Sequence, residues 1–321
     1  MPIITHTEIA TFAGEKVNLP VESAKKYRKQ VSDLLDRLAV HIVQNPGFAL
    51  VKMLHAGSVA KGTALRNVND LDAAVYVKKE EAPVNDQELV PWIAQRLRDS
   101  NPNMKADQFD DTQPHCVIVQ FRGSGLDVDI VPVLYEGAKN DVGYLIDKYT
   151  GDRLLTSIPL HLEFIRKRKN NMPIHFAQVV RLLKWWAQQK KIEDENFKCK
   201  SFMLELLVAH HADRGLDLSD YPSALEKILA YVATTGLENR IIFEDYYSRD
   251  QILPQSAGAI EIFDPVNPKN NITQKYSVSD RDKLVQAATE AGDAIAEAHY
   301  ATTKARAVEC WQSVFGPSFQ V

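Results

Sequence analysis

Residues 54–77 read Leu-His-Ala-Gly-Ser-Val-Ala-Lys-Gly-Thr-Ala-Leu-Arg-Asn-Val-Asn-Asp-Leu-Asp-Ala-Ala-Val-Tyr-Val. Gly57-Ser58 is followed, after eleven residues, by Asp70-Leu71-Asp72. The run 73–77 is short and apolar and ends in β-branched and aromatic residues, the composition of a buried strand. On a strand, residues two apart share a face, so Asp70 and Asp72 project together. Paired carboxylates repel unless a cation lies between them, and hard oxygen donors favour Mg²⁺ or Mn²⁺ over Zn²⁺. Gly57-Ser58 supplies the other half of a site. Gly lets a backbone approach a ligand closely, Ser offers a hydroxyl and an N–H, and such a turn ahead of a helix cradles phosphate oxygens. Lys61, Gly62 and Thr63 extend the same polar turn. A phosphate cradle beside a metal-binding carboxylate pair implies a metal-bound nucleoside triphosphate.

The chain around this motif has 321 residues, enough for two modest domains or one large one. Lys and Arg number 38 against 42 Asp and Glu. That balance argues against a generally basic nucleic-acid coat and leaves local patches open. Cys116, Cys199 and Cys310 are far apart and form no Cys-x-x-Cys pair. They read as reduced thiols of a cytoplasmic protein, with no zinc site and no disulfide framework. No stretch approaches twenty apolar residues, and the N-terminus lacks a basic start followed by an apolar block. Neither a membrane span nor a signal peptide is expected.

Upstream, Asn18-Leu19-Pro20 is a natural helix entry. Ala24, Tyr27, Val31, Leu34, Leu35, Leu38 and Ile42 recur at threes and fours, one apolar stripe of a long helix. Lys25, Lys26, Arg28, Lys29 and Asp33 fall on the opposite side, the solvated face of a scaffold helix or a contact for nucleic acid or a partner. Asn45-Pro46-Gly47 ends this helix, and residues 48–54 form the strand that delivers Gly57. Downstream, 78–86 reads as a loop, 88–97 as a short helix and 115–121 as an alternating strand. After Gly123-Ser124-Gly125 comes a second acidic strand, 126–133, on which Asp127 and Asp129 share a face. Two-metal phosphoryl transfer needs a third carboxylate to hold ions about 3.5–4 Å apart. Either Asp127 or Asp129 can supply it.

From His161 onward helical periodicity dominates. Residues 173–191 form an amphipathic helix with Pro173 near its first turn, and 278–315 is an Ala-rich closing region. Trp185 and Trp186 read as core, and His210-His211, lacking a third ligand, as structural. Arg166, Lys167, Arg168, Lys169, Lys190, Lys191, Lys198 and Lys200 read as a solvated face or as a groove for nucleic acid or triphosphate.

Gly57-Ser58 with Asp70-Leu71-Asp72 resembles the nucleotidyltransferases of the DNA polymerase β superfamily. More narrowly, it resembles the oligoadenylate synthetases and the bacterial cGAS/DncV-like nucleotidyltransferases (CD-NTases) of CBASS anti-phage systems. Over most of its length the sequence is similar to clade C, the CdnC-like enzymes. The family's third Asp precedes a Pro by three residues, which Asp129-Ile130-Val131-Pro132 matches, so the resemblance selects Asp129. Arg181-Leu182-Leu183-Lys184-Trp185-Trp186 resembles a synthetase helix whose Lys reaches the triphosphate, and a flexible ammonium suits a phosphate. Ser201-Phe202-Met203-Leu204-Glu205-Leu206 resembles a helix whose Ser binds the terminal phosphates. An N-cap hydroxyl with free helix N–H groups can do so. Asp264-Pro265-Val266-Asn267-Pro268 resembles a further family segment, a stiff turn that serves as connector or as a wall of the acceptor pocket.

The resemblance implies an α+β fold. Residues 1–160 would hold a spine helix and a polymerase-β-like nucleotidyltransferase core with a mixed sheet. Residues 161–321 would form a helical bundle, giving two lobes with the active site in the cleft. The implied activity is synthesis of a cyclic oligonucleotide second messenger, cyclic tri-adenylate, from ATP, with release of pyrophosphate. Asp70, Asp72 and Asp129 would carry catalysis and bind two Mg²⁺ or Mn²⁺ ions. Gly57, Ser58, Lys184 and Ser201 would bind the nucleotide. The implied partners are a HORMA-domain regulatory protein with an AAA+ remodeller, and a nucleic-acid activator. A linear oligoadenylate synthetase would share every motif. A small-molecule nucleotidyltransferase would label an acceptor such as an aminoglycoside, and a catalytically silent nucleic-acid sensor would not need three carboxylates.

Overall fold

The computed structural model describes residues 2–45, 50–252, 254 and 258–321. They group into two units, Leu19–Glu163 and Met1–Asn18 with Phe164–Val321. The chain opens with α1 (His6–Phe12), which the sequence reading does not foresee. Thr5 caps it by accepting the Thr7 N–H, while the Glu8 carboxylate reaches back to the Thr5 N–H.

In the unit 19–163, α2 (Val21–Gln44) carries the expected stripe, with Val31, Leu34, Leu35, Leu38 and Ile42 buried. β1 (Leu50–Ala56) runs directly into α3 (Gly57–Lys61), followed by β2 (Asp70–Lys78). The Pro46-Gly47 turn and the strand start at Phe48 lie outside the described residues. Next come α4 (Leu89–Ser100), β3 (Phe109–Asp110), β4 (Val117–Phe121), β5 (Leu126–Tyr135), β6 (Gly143–Ile146) and β7 (Arg153–Thr156). The strands form one sheet in the order β1-β2-β5-β4-β3, with β6 joining β5 to β7. β2 and β5 run parallel and every other pair is antiparallel, so the sheet is mixed as expected. A parallel pair needs a long crossover, and here α4, β3 and β4 supply it.

The two faces of the sheet differ because residues alternate along each strand. Leu71, Ala73, Val75 and Val77 of β2, with Val128 and Ile130 of β5, pack into a core with the stripe of α2 and with Leu89, Ile93 and Leu97 of α4. The opposite face holds a small apolar cluster, Ala74, Tyr76 and Val133, at one end only. At its other end that face carries the acidic residues.

The second unit is helical. α5 (Ile158–Asn171) contains the boundary between the units. It is followed by α6 (His175–Glu193), α7 (Ser201–Ala212), α8 (Tyr221–Thr235), α9 (Val278–Tyr300) and α10 (Lys304–Phe315). Pro173 lies just ahead of α6, next to its N-cap Ile174. α8 has Pro222 at its start and stops at Gly236, where φ is 58°. Ser277 and Asp280 form a capping box at the start of α9. Ala287, Ala288, Ala291 and Ala298 are buried, and these small side chains let α9 lie close to α8 and α10. Phe12 stacks on Phe315, Phe315 stacks on Trp311, and Phe319 packs beside both. Trp186 is buried, and the half-buried Trp185 donates its indole N–H to the Phe315 carbonyl.

Arg168 departs from the solvated face assigned to it. Its guanidinium is buried, lies 3.7 Å from the Phe164 ring centroid and bonds both Asp213 and Asp245. The 264–271 turn closes on itself, with Asp264 accepting from the Val266 N–H and the Asn270 amide. Among the described residues no helix is long and apolar enough to cross a membrane.

Candidate active site

β2 begins at Asp70 itself, three residues earlier than the apolar run 73–77, so both carboxylates stand on the strand. The register pairs Asp70 with Asp127 and Asp72 with Asp129. In a parallel pair, opposed residues share a face. Four carboxylates therefore share one end of the open face. Crowding and partial burial act together on Asp129. Its carboxyl is pushed up to about 6, first by burial and then by the charges of Asp72, Asp70 and Asp127. β4 adds Ile118 opposite Asp129 and Gln120 opposite Asp127. Cys116, just ahead of β4, is half-buried. Burial pushes its thiol up to about 12, assisted by the charges of Asp129 and Asp72, so it stays protonated and uncharged at neutral pH.

Gly57 joins β1 to α3 with φ at +63°, and a Cβ built there would fall 1.6 Å from Asp72 Oδ2. Only a residue without a side chain lets the turn lie against the Asp72 carboxylate. α3 then closes on Gly62, in the left-handed conformation, and Thr63 donates its N–H to the Ser58 carbonyl. Thr63 is fully buried.

Two contacts from α2 that the sequence reading does not foresee hold this segment. Arg28, assigned to the solvated side, donates from Nη2 to the Val59 carbonyl at 2.8 Å. Ser32 Oγ lies 3.1 Å from His55 Nε2, two residues before Gly57. Burial, with the Arg28 charge, lowers the His55 pKa. No local pattern marks either contact, because partners 31 and 23 residues apart meet only in the folded chain.

Lys184 and Ser201 belong to the other unit. Lys184 is buried in α6, and its ammonium pairs with Glu205 of α7 at 2.7 Å. Ser201 is exposed but is the first residue of α7, whose N-cap is Lys200, so the expected N-cap hydroxyl is corrected by one position. His210 and His211, read from the sequence as structural, both pack against the Tyr231 ring. His210 is held neutral with its pKa pushed down to about 4, first by burial and then by Arg214, which bonds its Nδ1.

The donor set on the sheet fits a hard divalent cation, since every group is a carboxylate and the negative charges of Asp70, Asp72, Asp127 and Asp129 lie together. Among the described residues no three Asp, Glu, His or Cys side chains already close into a metal cage. The carboxylates stand instead as neighbours across two strands.

No family model matches the chain. The chain is 49% identical over 317 residues to the cyclic AMP-AMP-AMP synthase of Escherichia coli strain MS 115-1, covering 99% of this chain and 98% of that one. It is 31% identical over 336 residues to the CBASS oligonucleotide cyclase CdnC of Escherichia coli strain KTE188, covering 100% and 99%. Among solved structures, Escherichia coli MS115-1 CdnC with ATP matches with a TM-score of 0.91 and 48% identity over 99% of each chain. The complex of that CdnC with HORMA-deltaN gives the same values.

Proposed function

The chain belongs to the CBASS oligonucleotide cyclase CdnC family, and from that premise we propose that it joins ATP into a cyclic oligonucleotide messenger, cyclic tri-adenylate, for anti-phage defence. It is a nucleotidyltransferase. The observation that carries this reading is the register of β2 and β5, which sets Asp72 beside Asp129 with the bare Cα of Gly57 against Asp72.

Asp70, Asp72 and Asp129 would hold two Mg²⁺ or Mn²⁺ ions. When bound, such ions neutralise carboxylates and triphosphate and acidify the attacking ribose hydroxyl. The Ser58 hydroxyl and the N–H groups of the Gly57-Ser58 turn orient the phosphates. Asp129 is proposed as acceptor of the ribose proton. The ribose oxygen attacks the α-phosphorus, and pyrophosphate leaves. Because the protein forms no covalent bond in this scheme, positioning and charge neutralisation carry the rate. Ser201 is proposed as a terminal-phosphate contact. Lys184 is proposed for the same task, which requires its ammonium to exchange Glu205 for phosphate.

A HORMA-domain protein is the proposed regulatory partner, supported by the related complex. An AAA+ remodeller and a nucleic-acid activator are proposed on the family resemblance alone. The test is to incubate the full chain with Mg²⁺ and four labelled nucleoside triphosphates, with and without a HORMA partner, and identify products by mass. A product resistant to exonuclease and phosphatase supports the ring, and a product with ends makes the enzyme a linear synthetase. Asp72→Asn should make nothing while melting normally. Absence of pyrophosphate under every condition would remove the enzyme reading.

A further inference from the structure

We propose that Arg28 is a positioning residue that holds the Gly57-Ser58 turn at its working distance from Asp72, an inference that rests on the nucleotide-binding reading of that turn. α3 has five residues, too few to hold its own shape, since one turn fixes several dihedrals for a single hydrogen bond. Its carbonyls have few partners within the helix, so outside groups must fix it. The Ser58 carbonyl accepts the Thr63 N–H at 2.9 Å, and the Val59 carbonyl accepts the Gly62 N–H at 3.3 Å. The Gly62 contact is long. The shorter bond to Val59, at 2.8 Å, comes from Arg28, and it brings a cation to the negative end of the helix.

The brace is rigid at its base. α2 is anchored on the sheet by Val31, Leu34 and Leu38, and one turn beyond Arg28 it meets His55 through Ser32. The segment 55–59 is thus held by α2 at both ends, with Gly57 between them. There the clearance is minimal. The Asp72 carboxylate already occupies the space of a Gly57 Cβ, so a small slide of α3 alters the relation of Ser58 to the carboxylates. No distant ligand is needed for this coupling, because one side chain connects a scaffold helix to the turn that meets substrate.

The test is the affinity of the full chain for Mg·ATP by titration calorimetry, which does not depend on a partner for activation. Arg28→Met keeps the aliphatic stem and loses the donor. It should weaken binding about five- to tenfold, the loss expected for one charged hydrogen bond partly exposed to water. Its melting temperature should stay within about 2 °C of wild type. Arg28→Lys, with a cation and one reachable donor, should recover part of the affinity. Gln30→Leu removes a comparable bond from the same helix, to Ser124 Oγ at 3.0 Å, and should change affinity by less than about twofold. Unaltered binding by Arg28→Met overturns the proposal, as does equal weakening in Gln30→Leu. A lowered melting temperature without rescue by Lys also overturns it, since the role would then be structural. If folded wild-type protein binds no Mg·ATP, the nucleotide reading itself fails, a result distinct from wild-type binding that Arg28→Met leaves intact.

Discussion

Gly57 leaves no room for a side chain. Its positive φ and the nearness of Asp72 act together, and Gly57→Ala forces either α3 or the carboxylate to move. Misplacement by about 1 Å at a reacting centre costs on the order of 100-fold in rate, so Gly57→Ala should lower product formation by at least about that factor, read by pyrophosphate release. At the third carboxylate, Asp129 stands opposite Asp72 and feels its charge first after burial, while Asp127 stands opposite the exposed Asp70 at the strand entrance. Asp129→Asn should therefore abolish product. Asp127→Asn should keep most of it, and the same assay separates the two.

Between elements, the Lys184–Glu205 pair ties α6 to α7 in a dry setting, with both side chains almost fully buried. Removing one partner of such a pair strands the other charge and costs about 3–5 kcal/mol. Lys184→Met should lower unfolding stability by that order in urea titrations, apart from any effect on nucleotide affinity. The Ala face of α9 makes a second prediction. Ala288 is fully buried where the helices approach closely, and Ala288→Leu should destabilise by about 1–3 kcal/mol through overpacking. Denaturation midpoints at constant slope would check it.

Across the whole molecule, groups with shifted pKa values couple stability to pH. Neutral, buried His210 makes the native chain bind fewer protons than the unfolded chain between about pH 4 and 6.5. Its contribution is complete above the unfolded value and is lost as pH falls toward 4. Asp129 works in the opposite sense. Its carboxyl is raised to about 6, so stability present below its unfolded value is lost as pH rises through 6. In metal-free buffer Asp129→Asn should gain more stability than wild type between pH 4 and 6.5. The excess is read by urea unfolding at each pH. The same contrast between local and distant effects governs what could be read beforehand. Sequence alone determined the α2 stripe, the acidic strands β2 and β5, the helical second half and the Asp70/Asp72 pair with Gly57-Ser58. Those patterns are periodic and contiguous, and the backbone imposes the period wherever the segment lies. Tertiary structure alone decided that Asp72 faces Asp129, 57 residues later. It alone made β3, β6 and β7 strands, since two to four residues are too few to show alternation. Arg28 and Arg168 read as solvated by type, yet reach partners 31, 45 and 77 residues away. A long flexible side chain takes the partner that packing brings within reach, and packing is a property of the folded chain rather than of any stretch of it.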